Sequence, residues 1–131
     1  MAIIIDGKAL AAKCKEEVRT AVAAMERKPG LAVILVGENP ASQVYVRNKQ
    51  KDCQECGIHS EEFVLPADYG QPALLTLIAE LNRLEDIDGI LCQLPLPEGY
   101  GYDEEKILLA IDPSKDVDAF HPYNVGKIMI G

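Results

Sequence analysis

Tyr45 and Lys49 are the first residues whose types and spacing suggest chemistry. They stand four positions apart in a stretch with helical character, so their side chains share one helix face. An aromatic ring offers a stacking surface for a flat heterocycle, and a lysine amine in a partly desolvated pocket can act as an acid or a base. The same spacing is common in surface helices that carry a solvated lysine. Spacing alone therefore leaves both interpretations open.

Gln93 is the second candidate. It directly follows an apolar run and precedes Leu94-Pro95-Leu96-Pro97, where two prolines prevent a central strand from continuing. Its amide can donate and accept hydrogen bonds, and so could orient a neighbouring amine or a substrate amide. An amide bonded to the backbone at the end of a strand is the equally simple alternative.

The third candidate is the charged loop Lys115-Asp116-Val117-Asp118. A carboxylate here could accept two hydrogen bonds from an edge resembling an aminopyrimidine. Asp118 is expected to face inward because apolar residues flank it, whereas a run of solvated charges is the usual alternative. His121, which follows in the same loop, is expected to be structural.

The elements that must position these side chains are read from hydrophobic periodicity and from turn residues. The run at residues 31–36 is apolar throughout, as in a strand of a parallel sheet with helices on both faces. Strands that alternate with helices predict an α/β fold, a three-layer α/β/α sandwich with a mostly parallel sheet. The predicted strands are 2–5, 31–36, 58–64 and 87–92; the predicted helices are 7–28, 42–57, 71–82 and 103–111, with a last helical turn capped by Asn124.

All three candidate segments follow predicted strands or lie beside their carboxyl ends. In parallel α/β sheets, ligands bind outside that edge. We therefore expect Tyr45, Lys49, Gln93 and Asp118 to converge on one cleft, although they are far apart along the chain.

Composition narrows the class of protein. The 131 residues fit one domain, and the net charge of −8 works against non-specific binding of nucleic acid or of an anionic membrane surface. No apolar run has the length of a membrane span. The four scattered cysteines predict free thiols in a reducing cytoplasm. Cys53 and Cys56 lack a second ligand pair, so no metal site is expected.

Taken together, the three segments resemble the signatures of the methylenetetrahydrofolate dehydrogenase/methenyltetrahydrofolate cyclohydrolase family. Residues 36–49 are similar to its V-G-x-x-x-A-S-x-x-Y-V-x-x-K motif, and residues 89–97 to its G-I-L-V-Q-L-P-L-P motif. Residues 113–126 are similar to P-x-K-D-V-D-G-F-H-P-x-N-x-G. Two departures are Ala119 in place of the glycine and Cys92 in place of the valine.

The resemblance implies that residues 1–131 form the folate-binding catalytic domain, with a tetrahydrofolate as the bound partner. Lys49 would assist the attack of water on the methenyl carbon, and Gln93 would tune the protonation of Lys49. Tyr45 would stack on the folate rings, and Asp118 would hold the amino edge of the pterin. The remaining residues that the resemblance places beside the substrate are Val46, Arg47, Asn48, Cys92 and Leu94.

The resemblance also implies a nicotinamide cofactor, NADP or NAD, held by a glycine-rich Rossmann domain that these residues do not include. No cofactor site is therefore expected in this chain, and without a nicotinamide it should not act as a dehydrogenase. A homodimer located in the cytoplasm is expected. One alternative is an α/β module that binds a folate or another flat ligand without turnover. A receiver-type signalling domain is the other, but Gly37 and Gln93 occupy the strand-end positions where that class needs an acidic phosphoacceptor.

Overall fold

The computed structural model describes all 131 residues as five helices and three strands. The strands form one parallel sheet with the order β2-β1-β3. In chain order the elements are α1 (Gly7–Ala23), β1 (Gly30–Val36), α2 (Pro40–Cys56), β2 (His59–Leu65), α3 (Gln71–Arg83), β3 (Gly89–Cys92), α4 (Glu104–Ala110) and α5 (Pro122–Ile130).

The central strand β1 is buried on both faces, and this confirms the predicted α/β fold. Alternate residues of a strand point to opposite faces. Ile34 and its neighbours on one face pack against α3 and α4 in a core of 12 buried residues. Val33 and Leu35 on the other face pack against Val46 of α2. A strand covered by helices on both sides needs apolar residues at every position, which explains the uninterrupted run.

Helix α2 is bounded by strong local signals at both ends. Asn39 accepts a hydrogen bond from the backbone N–H of Ser42 at 3.1 Å, and Pro40 begins the helix where no intrahelical donor is needed. Gly57 ends it in the left-handed conformation, with a φ of 79°. Helix α1 packs against α2. The Lys15 amine donates hydrogen bonds to Asp52 and Glu55 of α2 at 3.1 and 2.8 Å.

Asp88 ties together the amino ends of β1 and β3. Its carboxylate accepts hydrogen bonds from the Arg27 guanidinium at 2.7 and 2.9 Å and from the Gly30 N–H at 2.9 Å. These bonds, above all those from Arg27, hold the pKa of Asp88 below its ordinary value. We call Arg27, Asp88 and Gly30 the charged clamp. It fixes the amino edge of the sheet, which lies opposite the candidate site.

Three predictions about the ends of the chain were wrong. Residues 2–5 form no strand: Ile3, Ile4 and Ile5 are 85–91% exposed, and they pair with neither edge of the sheet. Helix α1 was predicted over residues 7–28 but ends at Ala23, and Val22 is its one buried residue. His121, not Asn124, caps the last helix, because its Nδ1 accepts the N–H of Tyr123 at 3.1 Å.

Helices in this chain are too short or too polar to cross a membrane. Acidic, cysteine and histidine side chains nowhere gather in threes at a spacing suited to a metal ion.

Candidate active site at the carboxyl edge of the sheet

The turns that follow β1 and β3 lie against each other at the carboxyl edge. Gly37 leaves β1 with a φ of 86°, a conformation that favours glycine. A Cβ at this position would lie 2.8 Å from Cγ of Pro97, so only a glycine lets the proline-rich segment approach. The N–H of Gln93 then donates to the carbonyl of Ile34 at 2.9 Å, which continues the sheet by one hydrogen bond.

This arrangement places Gln93 beside the first half of α2. The amine of Lys49 donates to Oε1 of Gln93 at 2.8 Å, across 44 positions of sequence. Nε2 of Gln93 donates to the carbonyl of Leu94 at 3.0 Å. That second bond turns the amide oxygen toward the lysine. The expected contact between these two side chains is thus present, and the amide accepts while the amine donates.

Asp118 completes a polar cluster around the lysine. Desolvation by the surrounding protein raises the pKa of the Asp118 carboxyl above its ordinary value, although the residue as a whole is exposed. The charge of Lys49 opposes this rise, and the neighbouring Asp116 carboxylate adds to it. The Lys49 amine and the Gln93 amide are therefore in direct contact, and the Asp118 carboxylate lies near enough to feel the charge of the amine; these groups can bind a polar ligand edge and move a proton.

Tyr45 lies one turn before Lys49 on the same face of α2, and it is 60% exposed. Its ring is available to stack on a flat ligand that approaches the amine. Arg47 and Asn48 are also exposed, but Arg47 lies on the opposite side of α2, beside Glu62 and Val64 of β2.

Val46 and Cys92 occupy core positions. Their exposed fractions are 4% and 2%, and each packs in one of the two apolar clusters that flank the sheet. Leu94 is partly buried and packs against the larger cluster. Desolvation by burial raises the pKa of the Cys92 thiol to about 12, so this cysteine is no nucleophile at neutral pH. The ligand contacts that the resemblance implies for these three residues stay predictions.

The prediction that Asp118 faces inward was wrong: Asp118 is exposed, as are its apolar neighbours Val117 and Phe120, whereas Asp116 is partly buried. Asp116 has a role that the sequence analysis did not assign. Its carboxylate accepts hydrogen bonds from the backbone N–H of His121 at 2.9 Å and from Nδ2 of Asn124 at 3.0 Å. An aspartate that bonds backbone groups a few residues ahead is a known turn signal, and it could have separated Asp116 from Asp118.

The fold and this cluster define a class: an α/β domain with a lysine–amide pair and a carboxylate at the carboxyl edge of its parallel sheet. The model for the family "Tetrahydrofolate dehydrogenase/cyclohydrolase, catalytic domain" matches residues 5–118. The chain belongs to this family. It is 59% identical over 133 residues to the bifunctional protein FolD of Desulfovibrio desulfuricans, covering 98% of this chain and 46% of that relative.

Solved structures agree with this membership. The bifunctional FolD of Campylobacter jejuni, a methylenetetrahydrofolate dehydrogenase/cyclohydrolase, superimposes with a TM-score of 0.89 at 48% identity, covering 95% of this chain and 45% of that one. The Trypanosoma brucei dehydrogenase-cyclohydrolase, solved with NADP cofactor and an inhibitor, gives 0.93 at 39% identity, covering 98% and 44%. The chain thus spans slightly less than half the length of the relatives it matches.

Proposed function

We propose that this chain binds a tetrahydrofolate and supplies the catalytic groups that convert 5,10-methenyltetrahydrofolate to 10-formyltetrahydrofolate. The observation that carries the proposal is the hydrogen bond of 2.8 Å between the Lys49 amine and the Gln93 amide oxygen in a member of this family; the charge of this amine also acts on the Asp118 carboxyl. Together with the other half of a relative, the same site would serve the oxidation of 5,10-methylenetetrahydrofolate.

The hydrolysis mainly requires orientation and proton transfer. The methenyl carbon is already a cationic electrophile, so water adds to it and loses a proton to give a carbinolamine. The hydroxyl of this intermediate then loses its proton as the formyl C=O forms, the bond from that carbon to N5 breaks, and N5 takes up a proton. Lys49 is the group that moves a proton during these steps. Gln93 holds the amine in place, because its own Nε2 is fixed on the Leu94 carbonyl.

Tyr45 and Asp118 bind the rest of the substrate in this proposal. The exposed ring of Tyr45 stacks on the folate ring system. The Asp118 carboxylate accepts hydrogen bonds from the amino edge of the pterin, a planar donor pair that suits a carboxylate. The substrate contacts that the resemblance implies for the exposed Arg47 and Asn48 belong to this proposal as well.

We place the nicotinamide nucleotide on the half of the enzyme that these residues do not include. A pyrophosphate binds free N–H groups at a helix N-terminus after a glycine-rich turn. At the start of α2, Pro40 has no N–H and Asn39 already bonds the N–H of Ser42. This strand-to-helix turn therefore does not fit a dinucleotide. The Trypanosoma brucei relative was solved with NADP, and we propose NADP for the intact enzyme, with NAD as the alternative.

A fusion protein tests the catalytic role of Lys49. This chain would replace the matching 46% of the Desulfovibrio desulfuricans FolD, and the hydrolysis of methenyltetrahydrofolate would be followed by its absorbance. Lys49→Met should lower kcat by about 10²- to 10⁴-fold, the usual contribution of an acid–base group. Lys51→Met is the matched control: it removes an exposed lysine of the same helix whose amine lies 3.9 Å from Glu55.

Normal turnover by the Lys49 variant would refute the role given to that residue. The alternative of a non-catalytic binding module makes a different prediction for the same fusion. It would bind 5-formyltetrahydrofolate, a stable folate, but would not hydrolyse the methenyl compound faster than buffer does.

The homodimer and the cytoplasmic location expected from the resemblance belong to this proposal as well. Sedimentation of the fusion protein would give twice the mass of one chain if the intact enzyme is a dimer, and a single mass would contradict it. Fractionation of cells that express it would report the compartment.

A further inference from the structure

The loop that carries Asp118 is folded around the carboxylate of Asp116. That carboxylate accepts hydrogen bonds from the backbone N–H groups of Phe120 and His121 at 3.4 and 2.9 Å. Nδ2 of Asn124 is a third donor, at 3.0 Å. Desolvation works to raise the pKa of Asp116, but these bonds outweigh it and hold the pKa below its ordinary value.

Both ends of the loop are anchored to the rest of the domain. The carbonyl of Lys115 accepts the N–H of Ile90 in β3 at 2.7 Å. On the far side, Nδ2 of Asn124 in α5 also donates to the carbonyl of Pro113 at 2.8 Å. These bonds connect the loop to β3 and to α5. Only residues 117–119 lie between Asp116 and the backbone N–H groups that bond its carboxylate.

Asp118 and Ala119 occupy the part of the loop that these bonds close. Ala119 has a φ of 56°, a left-handed conformation that side chains other than glycine rarely adopt. The two N–H groups that bond Asp116 belong to the residues immediately after it. The bonds therefore hold the bend of the backbone that carries Asp118, whose carboxylate lies within the electrostatic influence of Lys49.

We propose that Asp116, together with Asn124, is a positioning residue that aims Asp118 at the ligand beside Lys49. The hydrogen bonds of its own loop occupy the Asp116 carboxylate, so of the two neighbouring aspartates only Asp118 is left to hold a ligand edge. The inference rests on the proposed function, because the aimed group is the one assigned to the amino edge of the pterin.

A pair of probes separates positioning from general damage to the fold. Calorimetry would compare 5-formyltetrahydrofolate with its 2-desamino analogue, which lacks the amino group that Asp118 would hold. Asp116→Asn should weaken the binding of 5-formyltetrahydrofolate about tenfold or more, the scale of a hydrogen bond to a charged group. It should weaken the binding of the 2-desamino analogue by less than about twofold. The double variant with Asp118→Asn should bind no more weakly than Asp118→Asn alone.

Asp112→Asn is the matched control. Asp112 lies in the same segment and also bonds its own backbone, through the N–H of Ser114 at 2.8 Å, but it does not contact residues 116–121 through a hydrogen bond. This variant should keep the preference for the amino-bearing probe. Equal behaviour of the Asp112 and Asp116 variants would overturn the inference, as would equal losses on both probes in Asp116→Asn.

A measurement without ligand decides the matter independently. The Asp118 carboxyl would be titrated by carbon NMR in the wild type, Lys49→Met, Asp116→Asn and the double variant. Because Lys49 lowers the pKa of Asp118, its removal should raise that pKa in the wild-type background. In the Asp116→Asn background, Lys49→Met should raise the pKa of Asp118 by less than about half as much as it does in the wild type, because Asp116 no longer aims the carboxylate. An equal rise in both backgrounds would overturn the inference. Should the wild type bind both probes equally, the ligand role of Asp118 fails, and this titration alone decides the positioning role.

Discussion

Gly89→Ala tests how tightly the sheet and the loop of Asp118 are packed together. Gly89 is the first residue of β3 and is buried. A Cβ built there would lie 2.5 Å from Cγ1 of Val117 and 3.2 Å from Cδ1 of Leu31. Carbon atoms pack at about 3.5–4.0 Å, so Val117 must move by about 1 Å. The end of Leu31 is flexible, whereas a β-branched valine in an anchored loop cannot rotate away easily.

The expected loss in the free energy of unfolding follows from two opposing terms. Overpacking of this kind costs about 1–3 kcal/mol. Replacing a glycine by alanine at a position without positive φ restricts the unfolded chain and returns about 0.4–1 kcal/mol. We therefore expect Gly89→Ala to destabilise the chain by about 1–2 kcal/mol in a urea titration at constant m-value.

The double variant Gly89→Ala/Val117→Ala isolates the clash from other effects. Val117 is 52% exposed, so Val117→Ala alone should cost little. Removing its Cγ atoms opens the space that the new methyl group needs, and the double variant should regain the stability that Gly89→Ala lost. The coupling energy of the cycle should be about 1–3 kcal/mol. A coupling below about 0.5 kcal/mol would show that the loop yields freely, and the packing argument would be wrong.

Two further predictions concern the charged clamp and the thiols. Since the pKa of Asp88 lies below its ordinary value of 3.8 when the chain is folded, its ionised form stabilises the fold above that pH and the contribution is lost as pH falls through the lowered pKa. Urea titrations of Asp88→Asn from pH 7 to pH 3 should therefore converge on those of the wild type in acid, and a constant difference would contradict the linkage. In iodoacetamide at pH 8, Cys14 should react first in the folded chain, because Cys53, Cys56 and Cys92 are buried. With a pKa of about 12, Cys92 has roughly one thiolate per ten thousand molecules at pH 8, so labelling of Cys92 as fast as Cys14, measured by mass spectrometry, would refute its burial.

Much of the fold could be predicted from local patterns. The apolar run at residues 31–36 predicted a strand buried on both faces, and β1 is that strand. Helix α2 (Pro40–Cys56) lies where its Asn39 and Gly57 ends and the prediction of residues 42–57 placed it. The failures lie where burial depends on a partner. Residues 3–5 have the apolar run of a strand, and Leu10, Val18 and Val22 of α1 recur at helical spacing. Residues 3–5, Leu10 and Val18 nevertheless remain exposed, because no other element of this chain covers them.

The sequence by itself determined the order of strands and helices, the parallel sheet and the family, because periodicity, caps and three long motifs are written in consecutive residues. Only the tertiary structure decided that the Lys49 amine meets the Gln93 amide at all, and that Asp116 serves the loop while Asp118 stays available. Those choices depend on which donors stand within about 3 Å of each group. The donors come from segments far apart in the chain, so no local pattern records them.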